Sequence, residues 1–210
     1  LGDQEKNRQA DFRGARFSIA EEDQLRAGWY GLLAQFLTAP LSDELLLQIA
    51  PTEGDGSEMG QALSALAEAA RRTDAATVKR EYFDLFIGVG HGELVPYGSY
   101  YLTGFLHEKP LAKLRQDMGR LGISRQEGVS EPEDHIASLF EVMAGLVTGT
   151  FGGPPNLAQQ KEFYENHVGC WALRFFEDLE AAEAAHVYQP VGTLGRLFLT
   201  IEGQAFQMAA

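Results

Sequence analysis

The chain has 210 residues, with 17 Lys and Arg against 30 Asp and Glu, a formal net charge of −13 at pH 7. That field repels phosphate backbones and anionic membrane surfaces, which argues against nucleic acid as a partner and leaves a basic peptide as the kind of molecule it would steer inward. A hydrophobic content of 45% with 22% charged residues is that of a folded globular protein of one large or two small domains, and excludes wholesale disorder and fibrous architectures.

The N-terminus, with Asp3, Glu5, Lys6 and Arg8 and no apolar stretch behind them, does not read as a signal peptide, and a start at Leu1 in place of Met is expected of a trimmed or recombinant chain. From there apolar residues recur at helical spacing. Leu25, Trp29, Leu32, Leu33 and Phe36 form the first stripe; Met59, Leu63, Leu66, Ala67 and Ala70 the second; Val78, Tyr82, Leu85 and Phe86 the third. Ser42, Ser57 and Asp74 stand where helices should start, as acceptors for unpaired N–H groups. Leu111, Leu114, Met118 and Leu121 make a fourth stripe, opened by Pro110 in a first-turn position and stopped by Gly122. Three late stripes follow: Ile136, Leu139, Phe140, Met143, Leu146 and Val147; Tyr164, Val168, Trp171, Phe175 and Leu179; and Leu194, Leu197, Phe198, Ile201 and Met208. Period-two alternation is nearly absent and no run of about 18 apolar residues could span a membrane. The pattern predicts an all-α bundle of roughly eight or more helices.

Two stretches break it. Residues 88–104 are rich in glycine and aromatics and too apolar for an idle loop. Residues 124–132 are short and polar and read as a hinge, dividing the chain into an N-terminal helical unit (1–125), a hinge segment (126–135) and a C-terminal helical unit (136–210).

Few residues carry chemistry of their own. Gly88, Gly90 and Gly92 follow a helix instead of opening one and lack a Gly-Lys-Ser/Thr ending, so they read as helix termination before phosphate cradle. His167 with Cys170, and Glu183 with His186, are too few ligands for a bundle metal site. Cys170 beside Trp171 reads as a small buried hydrophobe. Glu131-Pro132-Glu133-Asp134-His135 is the most unusual cluster. Ser130 and Glu133 fit a capping box, Pro132 a first turn, and Asp134 a helix dipole, whereas capping does not require His135. An acid–imidazole pair there could grip a polar ligand or orient a base, so a nucleotide-binding or nucleotide-hydrolysing enzyme using Asp134 and His135 is the competing reading.

Taken together these residues resemble a known family. Tyr82-Phe83-Asp84-Leu85-Phe86-Ile87-Gly88 matches Y-x-x-L-F-x-G, and Glu131-Pro132-Glu133-Asp134-His135 matches E-P-x-D-H, the two signatures of the TorD/DmsD/NarJ redox-enzyme maturation chaperones. Pro96-Tyr97-Gly98-Ser99-Tyr100-Tyr101 and Pro110-Leu111-Ala112-Lys113-Leu114-Arg115 are similar to that family too, which the all-helical reading fits from about residue 20 to the C-terminus. The resemblance implies a TorD-like helical fold and a cytoplasmic, non-enzymatic chaperone. Its partner would be the apo-precursor of a molybdenum or tungsten oxidoreductase, met through the twin-arginine signal peptide and held until cofactor insertion. It implies no cofactor, although guanine nucleotide binding has been attributed to some members, and either a monomer or a domain-swapped dimer. Carried over residue by residue, the peptide-binding surface would comprise Tyr82, Leu85, Phe86, Pro96, Tyr97, Pro132, Asp134 and His135. In that arrangement Tyr82, Phe86, Pro96 and Tyr97 line an apolar part, and Asp134 and His135 supply a polar end at the hinge.

Overall fold

A computed structural model describes residues 19–124, 128, 131–152 and 156–208, over which ten helices and no strand are formed. They are α1 (Glu21–Thr38), α2 (Asp43–Ile49), α3 (Glu58–Arg71), α4 (Ala75–Phe86), α5 (Gly98–Thr103), α6 (Lys109–Arg120), α7 (Ile136–Thr148), α8 (Leu157–His167), α9 (Ala172–Ala181) and α10 (Tyr188–Met208). No helix among the described residues is long and apolar enough to cross a membrane.

Local chemistry sets most of the boundaries. Ser42 accepts from the Leu45 N–H at 3.2 Å, Ser57 from Gly60 at 3.0 Å and Asp74 from Thr77 at 2.8 Å, so α2, α3 and α4 open on the residues the sequence marks. Pro110 sits in the first turn of α6, and Gly122, at φ 71°, lies just past its end.

One apolar core runs through the described residues. Its most extensive seam is α1 against α7, followed by α9 against α10, with α10 also packing on α3. Helices from both sides of segment 126–135 therefore share that core; of the segment itself, 126–127 and 129–130 lie outside the described residues. Tyr30 is fully buried on the seam, edge-on to Phe140 at 5.3 Å and Phe198 at 4.8 Å.

Three expectations are corrected. Leu25, Ile201 and Met208 belong to their stripes by spacing but are exposed. On α1 the buried face is Tyr30, Leu33, Ala34, Phe36 and Leu37, the side turned to α7 and α10. The stripe from Tyr164 to Leu179 is two helices: the Gly169 N–H turns back to the Tyr164 carbonyl at 2.7 Å, and the Trp171 indole donates to the His167 carbonyl at 2.8 Å. Cys170 lies on that turn and is exposed, not buried.

Candidate functional site

The E-P-x-D-H segment is reached from two directions. At the end of α4, Gly88 (φ 58°) donates to the Phe83 carbonyl at 2.7 Å and turns the chain back. The returning segment satisfies the last carbonyls of α4, Glu93 N–H donating to Asp84 at 3.0 Å and Leu94 N–H to Leu85 at 2.8 Å. Gly92 permits this approach, since a Cβ there would lie 2.4 Å from the Leu85 oxygen. The segment thereby delivers Pro96 and Tyr97 to the turn 131–135. Tyr97 and His135 form an isolated antiparallel bridge, with Gly98 N–H donating to the Asp134 carbonyl and Ile136 N–H to the Pro96 carbonyl, both at 2.9 Å.

Two consecutive side chains then cap two different helices. Asp134 Oδ2 accepts from the Ser99 N–H at 2.8 Å, in the first turn of α5, and His135 Nδ1 accepts from the Ala137 N–H at 3.2 Å, in the first turn of α7. This corrects the sequence reading at each residue. His135 is itself the cap of α7, Asp134 serves α5, and Pro132 lies ahead of the helix instead of in its first turn, because the His135 N–H bonds the Pro132 carbonyl at 3.1 Å in a tight turn. The capping box with Ser130 falls on a residue outside those described.

Capping fixes the histidine's state. A ring nitrogen that accepts a backbone N–H must be unprotonated, which assigns the proton to Nε2 of a neutral imidazole. Burial pushes the His135 pKa below its ordinary value and prevails over the charges of Glu131 and Asp134, which act the other way. The other Asp134 oxygen, Oδ1, and the Ser99 hydroxyl are buried with no hydrogen-bond partner among the described residues.

The turn is braced from both sides. The Tyr97 hydroxyl donates to the Glu131 carboxylate, and its ring stands edge-on to His135 at 5.1 Å. Burial, then Glu131, raises the Tyr97 phenol above its usual range. Arg115 of α6 reaches Glu133 Oε2 with Nη2 at 2.8 Å and Nε at 3.0 Å.

Of the carried-over residues, Pro96, Tyr97, Pro132, Asp134 and His135 meet at this junction, and Pro96, Asp134 and His135 are buried in it. Tyr82, Leu85 and Phe86 brace the junction from α4, with the Tyr82 phenol near enough to feel the charge of Glu131. Leu85 has no exposed surface; the Tyr82 ring packs at 4.9 Å from Phe86 and 5.8 Å from Tyr188, and its hydroxyl donates to the Leu37 carbonyl at 3.0 Å. Burial pushes the Tyr82 phenol up to about 12. Phe86, half-buried, also touches Phe175 and Tyr188. What the site shows to solvent is Glu131 with parts of Pro132, Glu133, Tyr97 and Phe86.

Two clefts border the turn. One, of about 680 Å³, lies between α1, α7 and the end of α6, with Glu131, Glu133 and Glu141 along it. The other, of about 490 Å³, lies between α5, α6 and the α8–α9 turn, with Asp134 and Trp171 inside and Lys109 and Lys113 among its lining. Both volumes are in the range of about 300–1,000 Å³ that ligand sites occupy. Sequence reasoning took Ser99 and Arg115 only as parts of family-like strings and did not single out Glu141.

Comparison with known proteins agrees with this architecture. The family model described as nitrate reductase delta subunit matches residues 52–177. The chain is 26% identical over 150 residues to the chaperone protein TorD of Vibrio cholerae, covering 68% of each chain. It is 30% identical over 119 residues to the Tat proofreading chaperone DmsD of Haemophilus influenzae, covering 56% of each. A crystal structure of a redox enzyme maturation protein from Archaeoglobus fulgidus superposes with a TM-score of 0.54 at 20% identity, over 90% of this chain and 99% of that one, a likeness of fold. The chain therefore belongs to the nitrate reductase delta subunit family, that of the TorD, DmsD and NarJ maturation chaperones, and is a chaperone, not an enzyme.

Proposed function

We propose that this chaperone works in the cytoplasm on the precursor of a molybdenum or tungsten oxidoreductase, binding its twin-arginine signal peptide and holding the precursor back until the cofactor is inserted. The observation that carries the reading is the turn 131–135. It is the family signature, it is rigidly capped and bridged, and it stands between two open clefts in a chain of net charge −13. A leader with two arginines and an apolar stretch suits such a place. Exposed Arg–carboxylate contacts contribute only about 0.2–1 kcal/mol each, so apolar burial must supply the affinity. About 400 Å² at 25 cal/mol per Å² gives roughly 10 kcal/mol gross, much of it offset by ordering the peptide.

The buried members of the signature support this indirectly. Tyr82, Leu85, Pro96, Asp134 and His135 hold the junction in shape, while Phe86, Tyr97, Pro132 and the glutamates offer surface. The competing enzyme reading gains nothing from the geometry: the Asp134 and His135 side chains both accept backbone N–H groups, and Gly88 and Gly92 close the end of α4. Isothermal titration with a synthetic leader, two arginines followed by an apolar stretch, should give one-to-one binding that weakens with salt. Equal binding of a scrambled peptide of the same composition, or none of the leader, would contradict the proposal.

A further inference from the structure

We propose that the groove between α1 and α7 receives the apolar helical stretch of the leader, with Glu141 taking a basic side chain beside it; this rests on the function proposed above and assigns it a place outside the family signature. The groove has the shape for it. Its floor is one face of α7, with Ser138, Val142 and Gly145 at helical spacing, and Met118 and Ile123 stand opposite as an apolar wall. On α1, Gly28 is exposed, and a Cβ built there meets nothing within 4 Å, so the helix backbone is open to close approach. Phe151 closes one end: its ring lies over Gly145, where a Cβ would come within 2.3 Å of it. Small residues on two helices leave room for the large side chains of an inserted helix, which would dock with anchors at i, i+3, i+4 and i+7.

Charge selects this groove over its neighbours. Three carboxylates line it. Glu131 and Glu133 are engaged by Tyr97 and Arg115, whereas Glu141 is exposed and makes no ion pair or hydrogen bond among the described residues, so it can meet an incoming cation without first losing a partner. The cleft on the other side of the turn includes Lys109 and Lys113, which do not suit a basic segment, and the one between α3 and α10 is of mixed sign, its Arg72 and Arg196 already paired with Glu68 and Glu180.

The test is titration of the full chain with the synthetic leader. Gly28→Leu should fold with a melting temperature no lower than the parent's, since leucine is the better helix former and its Cβ meets nothing within 4 Å, yet weaken binding by about tenfold or more by filling the groove. Glu141→Arg should weaken it about fivefold and flatten its salt dependence. Lys113→Glu, in the other cleft, should not weaken it. Parent-like binding by Gly28→Leu and Glu141→Arg, with loss on Thr103→Trp in the lysine-lined cleft, would overturn the groove and leave the chaperone reading standing. A leader that does not bind the parent chain would overturn both. Light scattering that shows a dimer split by Gly28→Leu with leader binding intact would make the groove a contact between copies and overturn the assignment.

Discussion

Glu202 and Asp134 are both buried carboxylates, 2% and 3% exposed, and they are held in opposite ways. Glu202 on α10 takes Arg26 Nη2 at 2.6 Å on one oxygen and Arg26 Nε at 3.0 Å on the other, with the Tyr30 hydroxyl at 3.0 Å, while Arg26 reaches on to Asp23 and Gln160. That network ties α1, α8 and α10 together around a compensated charge. Asp134 has one oxygen on the Ser99 N–H and the other without a partner among the described residues. An unmet buried acceptor costs about 1–3 kcal/mol, a cost the Glu202 network does not carry. The first acid ties three helices together; the second caps α5 at the turn 131–135 with one oxygen unmatched among the described residues.

The comparison breaks first, and by most, at Arg26. Arg26→Ala strands Glu202 as a buried unpaired charge and should cost about 3–5 kcal/mol in urea unfolding; a loss below about 1 kcal/mol would mean the network is not architectural. Asp134→Ala removes a cap but also the unmet acceptor, so its cost should stay within about 0.5–2 kcal/mol while leader binding suffers more than folding does. The reverse ranking of Arg26→Ala and Asp134→Ala would erase the distinction. Tyr82→Phe, which loses only the bond to the Leu37 carbonyl, should cost about 0.5–1.5 kcal/mol and leave leader affinity alone if α4 is a brace; a binding defect in the folded variant would move Tyr82 into the contact surface.

Acidification should give the smallest change. Burial lowers the pKa of His135, and of His167 despite its bond to Asp117. As pH falls through the unfolded value of about 6.5, the unfolded chain takes up protons that the folded chain refuses. The contribution is therefore complete above that value and is lost below it. His135→Asn keeps a capping acceptor that does not titrate, so its stability between pH 7.5 and 5.5 should fall less steeply than the parent's; an equal slope would remove His135 from the pH dependence.

Much of this molecule is legible in its sequence where the cause is local. Ser42, Ser57, Asp74 and Pro110 mark helix starts through bonds or ring geometry within one turn. The α7 stripe is buried at all six positions because that helix is packed on several sides. The α1 stripe holds at Leu33 and Phe36, with Trp29 and Leu32 packed beside them, and fails at Leu25, since the extent of the buried face is set by α7 and α10, far along the chain. Likewise the E-P-x-D-H string reads as unusual, yet only the bridge between Tyr97 and His135 decides that the histidine caps one helix and the aspartate another. Gly28 and Glu141 are ordinary residues of ordinary helices until α1 and α7 are laid together.

Hydrogen exchange of the whole chain with and without the twin-arginine leader reads the turn and the groove together. With leader bound, exchange should slow at residues 97–99, in the turn 131–135 and along the exposed side of α1 and α7, with α3 and α10 unaffected. Protection confined to α3 and α10, or none with leader bound, would contradict both.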